Sequence, residues 1–137
     1  MKPNSELDGR SVLIVEDKMM VAIMLEQTFI DAGASDVTFA CSIEDAWDAV
    51  SRKSFDFALL DIRLPDGYSF PLAIDLFAKG MPVTMHSAHA GIYHSARLPG
   101  IVFCPKPATP TELIQAAHKA IYISANPTTV HVQETLH

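Results

Sequence analysis

Five short apolar runs, each separated from the next by 14 or 21 residues of helical or turn-rich pattern, constrain this chain more than any other feature. The runs are 11–15, 37–40, 55–60, 82–86 and 101–104. They are rich in Val, Ile, Leu and Phe and too short for buried helices, so they read as strands. The third, Phe55-Asp56-Phe57-Ala58-Leu59-Leu60, ends in Asp61 and is stopped by Pro65 and the Asp66-Gly67 pair. Continuous apolar strands are buried on both faces, which is the habit of parallel sheets. Strands alternating with helices then predict an α/β fold with a parallel five-stranded sheet covered on both sides. The first helix is expected over 18–32, with Gly33 as its stop. The second starts at Ser42, with Asp45 three residues on, and carries Ile43, Ala46, Trp47 and Val50 at helical spacing. The third covers 69–79, with Leu72, Ile74, Leu76 and Phe77 apolar. The fourth, within 88–100, is expected to be short or irregular, because the segment holds two glycines and Pro99. The last starts with Thr109-Pro110-Thr111-Glu112, a capping box with Pro at the first helical position.

Length and composition narrow the class. A chain of 137 residues with 49% hydrophobic content is one compact domain by expectation. Residues 1–10 read as a flexible start and 124–137 as a tail with weak strand character near 128–133. A net charge of −6 argues against nucleic acid as a partner. No signal peptide or membrane span is evident, so the expected compartment is the cytoplasm, where Cys41 and Cys104 would be reduced, buried thiols.

In a parallel sheet of this kind the reactive crevice lies beyond the carboxyl ends of the strands. The first strand delivers Glu16 and Asp17 there, the third Asp61, the fourth Ser87 and the fifth Lys106. Three clustered carboxylates need a cation or must protonate. Oxygen ligands on an open rim suit Mg²⁺, which also favours phosphate oxygens. Lys106 can contact a phosphoryl oxygen, and Ser87 can hydrogen-bond another. Asp61 is then a candidate nucleophile toward phosphorus. Each residue alone has an ordinary structural explanation, such as a helix cap or a turn; their joint placement is the specific signal. His86, His89 and His94 fall nearby and read as loop residues beside the site.

With these residues in view, the chain resembles the receiver domains of two-component response regulators over about 11–123. The resemblance rests on Val-Leu-Ile-Val-Glu-Asp (12–17), Leu-Leu-Asp-Ile-Arg-Leu-Pro-Asp-Gly (59–67), Ser87 and Phe-Cys-Pro-Lys-Pro (103–107). It implies a flavodoxin-like (βα)5 three-layer sandwich, CheY-like, with strand order 2-1-3-4-5. It implies Asp61 as phosphoacceptor, Asp17 as direct Mg²⁺ (or Mn²⁺) ligand, Glu16 as holder of the metal's water shell, and Arg63 as donor of a backbone carbonyl to the metal. Ser87 and Lys106 would contact the phosphoryl group, Phe103 would be the switch aromatic, and the Lys106–Pro107 bond would be cis. The helix beginning Met19, Met20 and Ile23 would dock a histidine-bearing partner, either a sensor histidine kinase or a phosphotransfer protein. The implied function is a stand-alone bacterial regulator, a phosphoprotein that is monomeric or weakly dimeric and switches an unnamed output protein. It would be no enzyme beyond its own phosphotransfer and slow dephosphorylation. The family often has Thr at the position of Ser87 and Tyr at that of Phe103. Two rivals follow from the residues: a scaffold that is never phosphorylated, and a small phosphatase turning over free esters at Asp61.

Overall fold

A computed structural model describes residues 6–126, except 90, 92 and 95–97. Strands β1 (Ser11–Val15), β2 (Asp36–Ala40), β3 (Phe57–Leu60), β6 (Val83–Ser87) and β7 (Val102–Pro105) form one parallel sheet in the order β2-β1-β3-β6-β7. Counting sheet strands only, that is 2-1-3-4-5, as the resemblance implied. Two further short strands, β4 (Arg63–Leu64) and β5 (Gly67–Tyr68), pair antiparallel in a small hairpin just past β3. No expectation covered this hairpin; its sign in the sequence is the Pro65-Asp66-Gly67 turn between Leu64 and Tyr68.

Helix α1 (Met19–Asp31) and the last helix, α4 (Pro110–Ala125), cover one face of the sheet. Phe29, Leu25, Leu113, Ala117 and Ile121 pack there on Val12, Ile14, Phe57 and Leu59, with the Phe29 and Phe57 rings 5.6 Å apart. Helices α2 (Ile43–Arg52) and α3 (Phe70–Ala78) cover the other face, against Leu13, Val15, Ala58, Leu60 and Met85. All four residues of β3 are buried, as its unbroken apolar run requires. Each Leu or Ile fully withdrawn from water on these two faces contributes about 1.5–3 kcal/mol. Gly100 turns the chain into β7 at φ +87°, and a Cβ there would come within 2.3 Å of the Phe77 ring.

Several expectations need correction. Leu7 was assigned to a frayed start but is fully buried, and residues 6–10 are tied in by Gly9 N–H to the Gly33 carbonyl. Trp47 and Ile74, placed on apolar helix faces, are exposed; the α2 face that packs is Ile43, Ala46, Ala49 and Val50. Cys41 is exposed, with its thiol donating to Asp45 Oδ2 at 2.8 Å, while Cys104 is buried. In the irregular fourth segment, Gly91, Tyr93 and His94 have helical backbone; the rest of that expectation, like residues 1–5 and the tail from 127 on, falls largely outside the described residues. Among the described residues, no helix is long and apolar enough to cross a membrane.

Candidate functional site

The carboxyl edge of the sheet collects the charged residues. The chain leaves β1 at Val15, and the Glu16 amide donates to the Ala40 carbonyl of β2 at 3.0 Å, extending the ladder one residue beyond the strand. That turns the Glu16 side chain inward, 4% exposed, and leaves Asp17 exposed beside it. Asp61 is held in the same way: its amide donates to the Val15 carbonyl at 2.9 Å. Behind it, the buried Ser69 hydroxyl donates to the Asp61 carbonyl at 2.6 Å, and the Ser69 amide donates to Ile62. Ligand oxygens of Glu16, Asp17 and Asp61 all lie within 4.8 Å of one another.

Among the described residues, the cation paired with this cluster is Lys106, directly after β7. The Lys106 amide donates to the Ser87 carbonyl at 3.1 Å, which carries the β6–β7 pairing one step past the strand ends. Its ammonium reaches Glu16 Oε1 at 2.7 Å and Asp61 Oδ2 at 3.0 Å. The Lys106–Pro107 peptide is cis. Ser87 is fully buried, and its hydroxyl accepts the His89 amide at 3.2 Å. The Arg63 amide points at Asp61 Oδ1 from 3.4 Å.

These contacts set the protonation states. Burial pushes the Asp61 carboxyl up, but the hydrogen bond and charge of Lys106, with the Ser87 hydroxyl and Arg63 amide, outweigh it and hold Asp61 below the usual carboxylate range. Burial dominates at Glu16, whose pKa is raised despite Lys106. Lys106 would be lowered by burial, yet Glu16 and Asp61 hold it above its ordinary value. Asp61 is therefore an ionised carboxylate at neutral pH, held against a charged ammonium. Three carboxylates against one ammonium leave an excess of negative charge, and an all-oxygen set of this kind suits a hard divalent cation.

Of the residues singled out by sequence, Glu16, Asp17, Asp61, Arg63, Ser87 and Lys106 thus meet at one rim. Phe103 stands apart from them on β7, half-buried, with its ring 4.7 Å from that of Tyr93. Met19, Met20 and Ile23 lie exposed on α1 at 60%, 80% and 52%. Of the three histidines, His86 is no loop residue: it is buried on β6, its Nδ1 bonded to the Cys104 carbonyl at 2.9 Å. Burial lowers its pKa, so the ring is neutral and donates from Nδ1. Two contributors went unnoticed in the sequence. One is Ser69, which braces the Asp61 backbone. The other is Asp66, whose two oxygens accept the Ile43 and Glu44 amides at 2.9 and 3.0 Å and so cap α2. The signal for Asp66 was its carboxylate beside a glycine in the turn after Asp61; its partner, 23 residues upstream, left no trace in local pattern.

Comparisons with solved structures agree with this fold. The chain is similar to the receiver (REC) domain of the response regulator PhyR from Erythrobacter litoralis, at 21% identity over 84% of this chain and 92% of that one, TM-score 0.70. It is also similar to a CheY-like response regulator receiver domain protein from Methanospirillum hungatei JF-1, at 20% identity over 86% and 98%, TM-score 0.72. A third likeness is to the anti-anti-sigma factor PhyR from Bartonella quintana, at 22% identity and TM-score 0.76, covering 92% of this chain but only 53% of that one. At these identities the likeness shows the fold. No curated protein matches the sequence. The family model for the response regulator receiver domain matches residues 12–118, the span that holds the sheet from Val12 on and every charged group of the rim, and the chain belongs to that family.

Proposed function

We propose that this protein accepts a phosphoryl group on Asp61 from a phosphohistidine and thereby changes its affinity for a protein partner. The observation that carries the reading is the position of Lys106, whose ammonium sits 3.0 Å from Asp61 Oδ2 and 2.7 Å from Glu16 Oε1. An ionised Asp61 oxygen attacks phosphorus, the phosphorus–nitrogen bond of the donor breaks, and its electron pair returns to the imidazole. Lys106 holds the nucleophile in place and takes up charge on a phosphoryl oxygen; Ser87 donates to another. Asp17, Asp61 and the Arg63 carbonyl are the proposed ligands of Mg²⁺ or Mn²⁺, with Glu16 holding its water shell. The metal, when bound, supplies charge neutralisation at the transferring phosphoryl group. Phe103 is the proposed switch aromatic. The donor is a histidine kinase or a phosphotransfer protein that docks on Met19, Met20 and Ile23, and the chain is a signalling module rather than a turnover enzyme. The scaffold reading gains nothing from a lysine paired with two buried or half-buried acids, an arrangement that folding alone does not require.

The test is incubation of the chain with Mg²⁺ and acetyl phosphate, followed by intact mass spectrometry. The parent gains the mass of one phosphoryl group and Asp61→Asn gains none. If no donor, small or protein, leaves an adduct, the scaffold reading replaces this one; sustained release of phosphate from unrelated esters would favour the phosphatase.

A further inference from the structure

We propose that Tyr93 is a latch on Phe103: it holds that ring in its half-buried position while Asp61 is unloaded, and phosphorylation frees it. The proposal rests on the phosphoacceptor reading above. Phe103 lacks a hydroxyl of its own. Tyr93 brings one from the neighbouring segment: its ring stacks on Phe103 at 4.7 Å and 25°, and its hydroxyl donates to the Ile101 carbonyl just before β7. His94 closes the other side, 5.5 Å from Tyr93 and 6.0 Å from Phe103. The Tyr93 phenol is half-buried and burial raises its pKa, so it stays protonated and keeps donating at neutral pH. A ring stack and one part-buried hydrogen bond together define a discrete state rather than a loose contact.

The other end of the same contact chain reaches the site. The Tyr93 amide donates to the His89 carbonyl at 3.2 Å, and the His89 amide donates to the Ser87 hydroxyl oxygen at 3.2 Å. Ser87 is fully buried, and its hydroxyl serves both Asp61 and His89. A phosphoryl group on Asp61 offers new acceptor oxygens farther out from β3. The Ser87 hydroxyl turns to them, the His89 amide loses the geometry of its acceptor, and the turn that carries Tyr93 moves. Tyr93 then leaves the Phe103 face, and Phe103 is free to turn inward. Both ends bias one two-state element, which is what coupling between sites requires.

Two measurements on the full chain test this. In the first, the ring signals of the three tyrosines are followed by carbon–proton NMR, with Tyr93 identified through Tyr93→Phe, while Mg²⁺ and acetyl phosphate load the protein and intact mass reports the adduct. The expected result is a Tyr93 shift away from its ring-stacked position, in step with the adduct, while Tyr68 and Tyr122 stay in place. An adduct with Tyr93 unmoved overturns the latch and leaves the phosphoacceptor reading standing; the absence of any adduct overturns both. In the second, Tyr93→Phe keeps the stack and removes the hydroxyl. It is expected to speed loading from acetyl phosphate roughly fivefold, the effect of losing one hydrogen bond that favours the unloaded state. A loading rate equal to the parent's would overturn the role of the hydroxyl.

Discussion

Helices α1 and α4 lie side by side on the same face of the sheet, and their sequences serve different ends. α4 begins with a complete capping box, the Thr109 side chain and the Glu112 side chain each satisfying the other's backbone amide, and it buries Leu113, Ala117, Ala120, Ile121 and Ile123. α1 begins at Lys18 with no side-chain cap and no acid in its first turn, and it buries only Ala22, Leu25 and Phe29. Met19, Met20, Ile23, Met24 and Ile30 are left to solvent. The two helices are near neighbours, so solvent, sheet and temperature are common to both. The difference lies in what each presents: α4 is capped and buried as a structural element, while α1 lacks a side-chain cap and leaves apolar, adaptable methionines exposed, as the proposed docking role requires. The uncapped amides of α1 also face that rim; the Lys18 amide is 3.5 Å from Glu16 Oε2, so the positive end of the helix is set against the acids.

The contrast can be broken most directly in the core. Leu113→Ala should cost about 3 kcal/mol in urea unfolding, because it leaves a cavity under α4. Met24→Ala, on the exposed side of α1, should change stability by less than about 0.5 kcal/mol. Equal losses would mean that the α1 face is covered in the folded chain. The caps give a smaller effect of opposite sign on the two helices. Thr109→Ala should cost about 1 kcal/mol, whereas Lys18→Ser, at a residue already extended at φ −92° and ψ 109°, should gain about 0.5 kcal/mol. A loss from Lys18→Ser would show that α1 is as finely tuned as its neighbour. The smallest change in stability is expected for Met19→Lys and Ile23→Lys, within about 0.5 kcal/mol. In these two the rate of transfer from a phosphohistidine donor should fall about tenfold while unfolding is unchanged; equal rates in a folded variant would remove α1 from the docking surface.

Sequence pattern carried the fold well because the two strongest signals, unbroken apolar strands and the Thr109-Pro110-Thr111-Glu112 start, are local. It brought Glu16, Asp17, Asp61, Ser87 and Lys106 together because they lie at or just past strand ends, and a parallel sheet lines such positions up. It failed where burial depends on distant partners. Leu7 stands among polar neighbours and is recruited by the core that α1 and β1 create around it. Trp47 sits one residue past a correct helical position and faces water, because Ala46 and Val50 already fill the space against the sheet. His86 lies in an expected strand, but its burial had no local sign, since a neutral imidazole bonded to the Cys104 carbonyl can be buried where a charged one cannot. Ser69 and Asp66 act through atoms remote in sequence, and no spacing rule reports them.

The bidentate grip of Asp66 has a mechanical meaning for the acceptor loop. One carboxylate five residues past Asp61 closes two amides at the start of α2, so an outward swing of the loop would also uncap that helix. If Asp61 is loaded as proposed, this grip ties the acceptor loop to α2 and resists movement of the loop away from that helix.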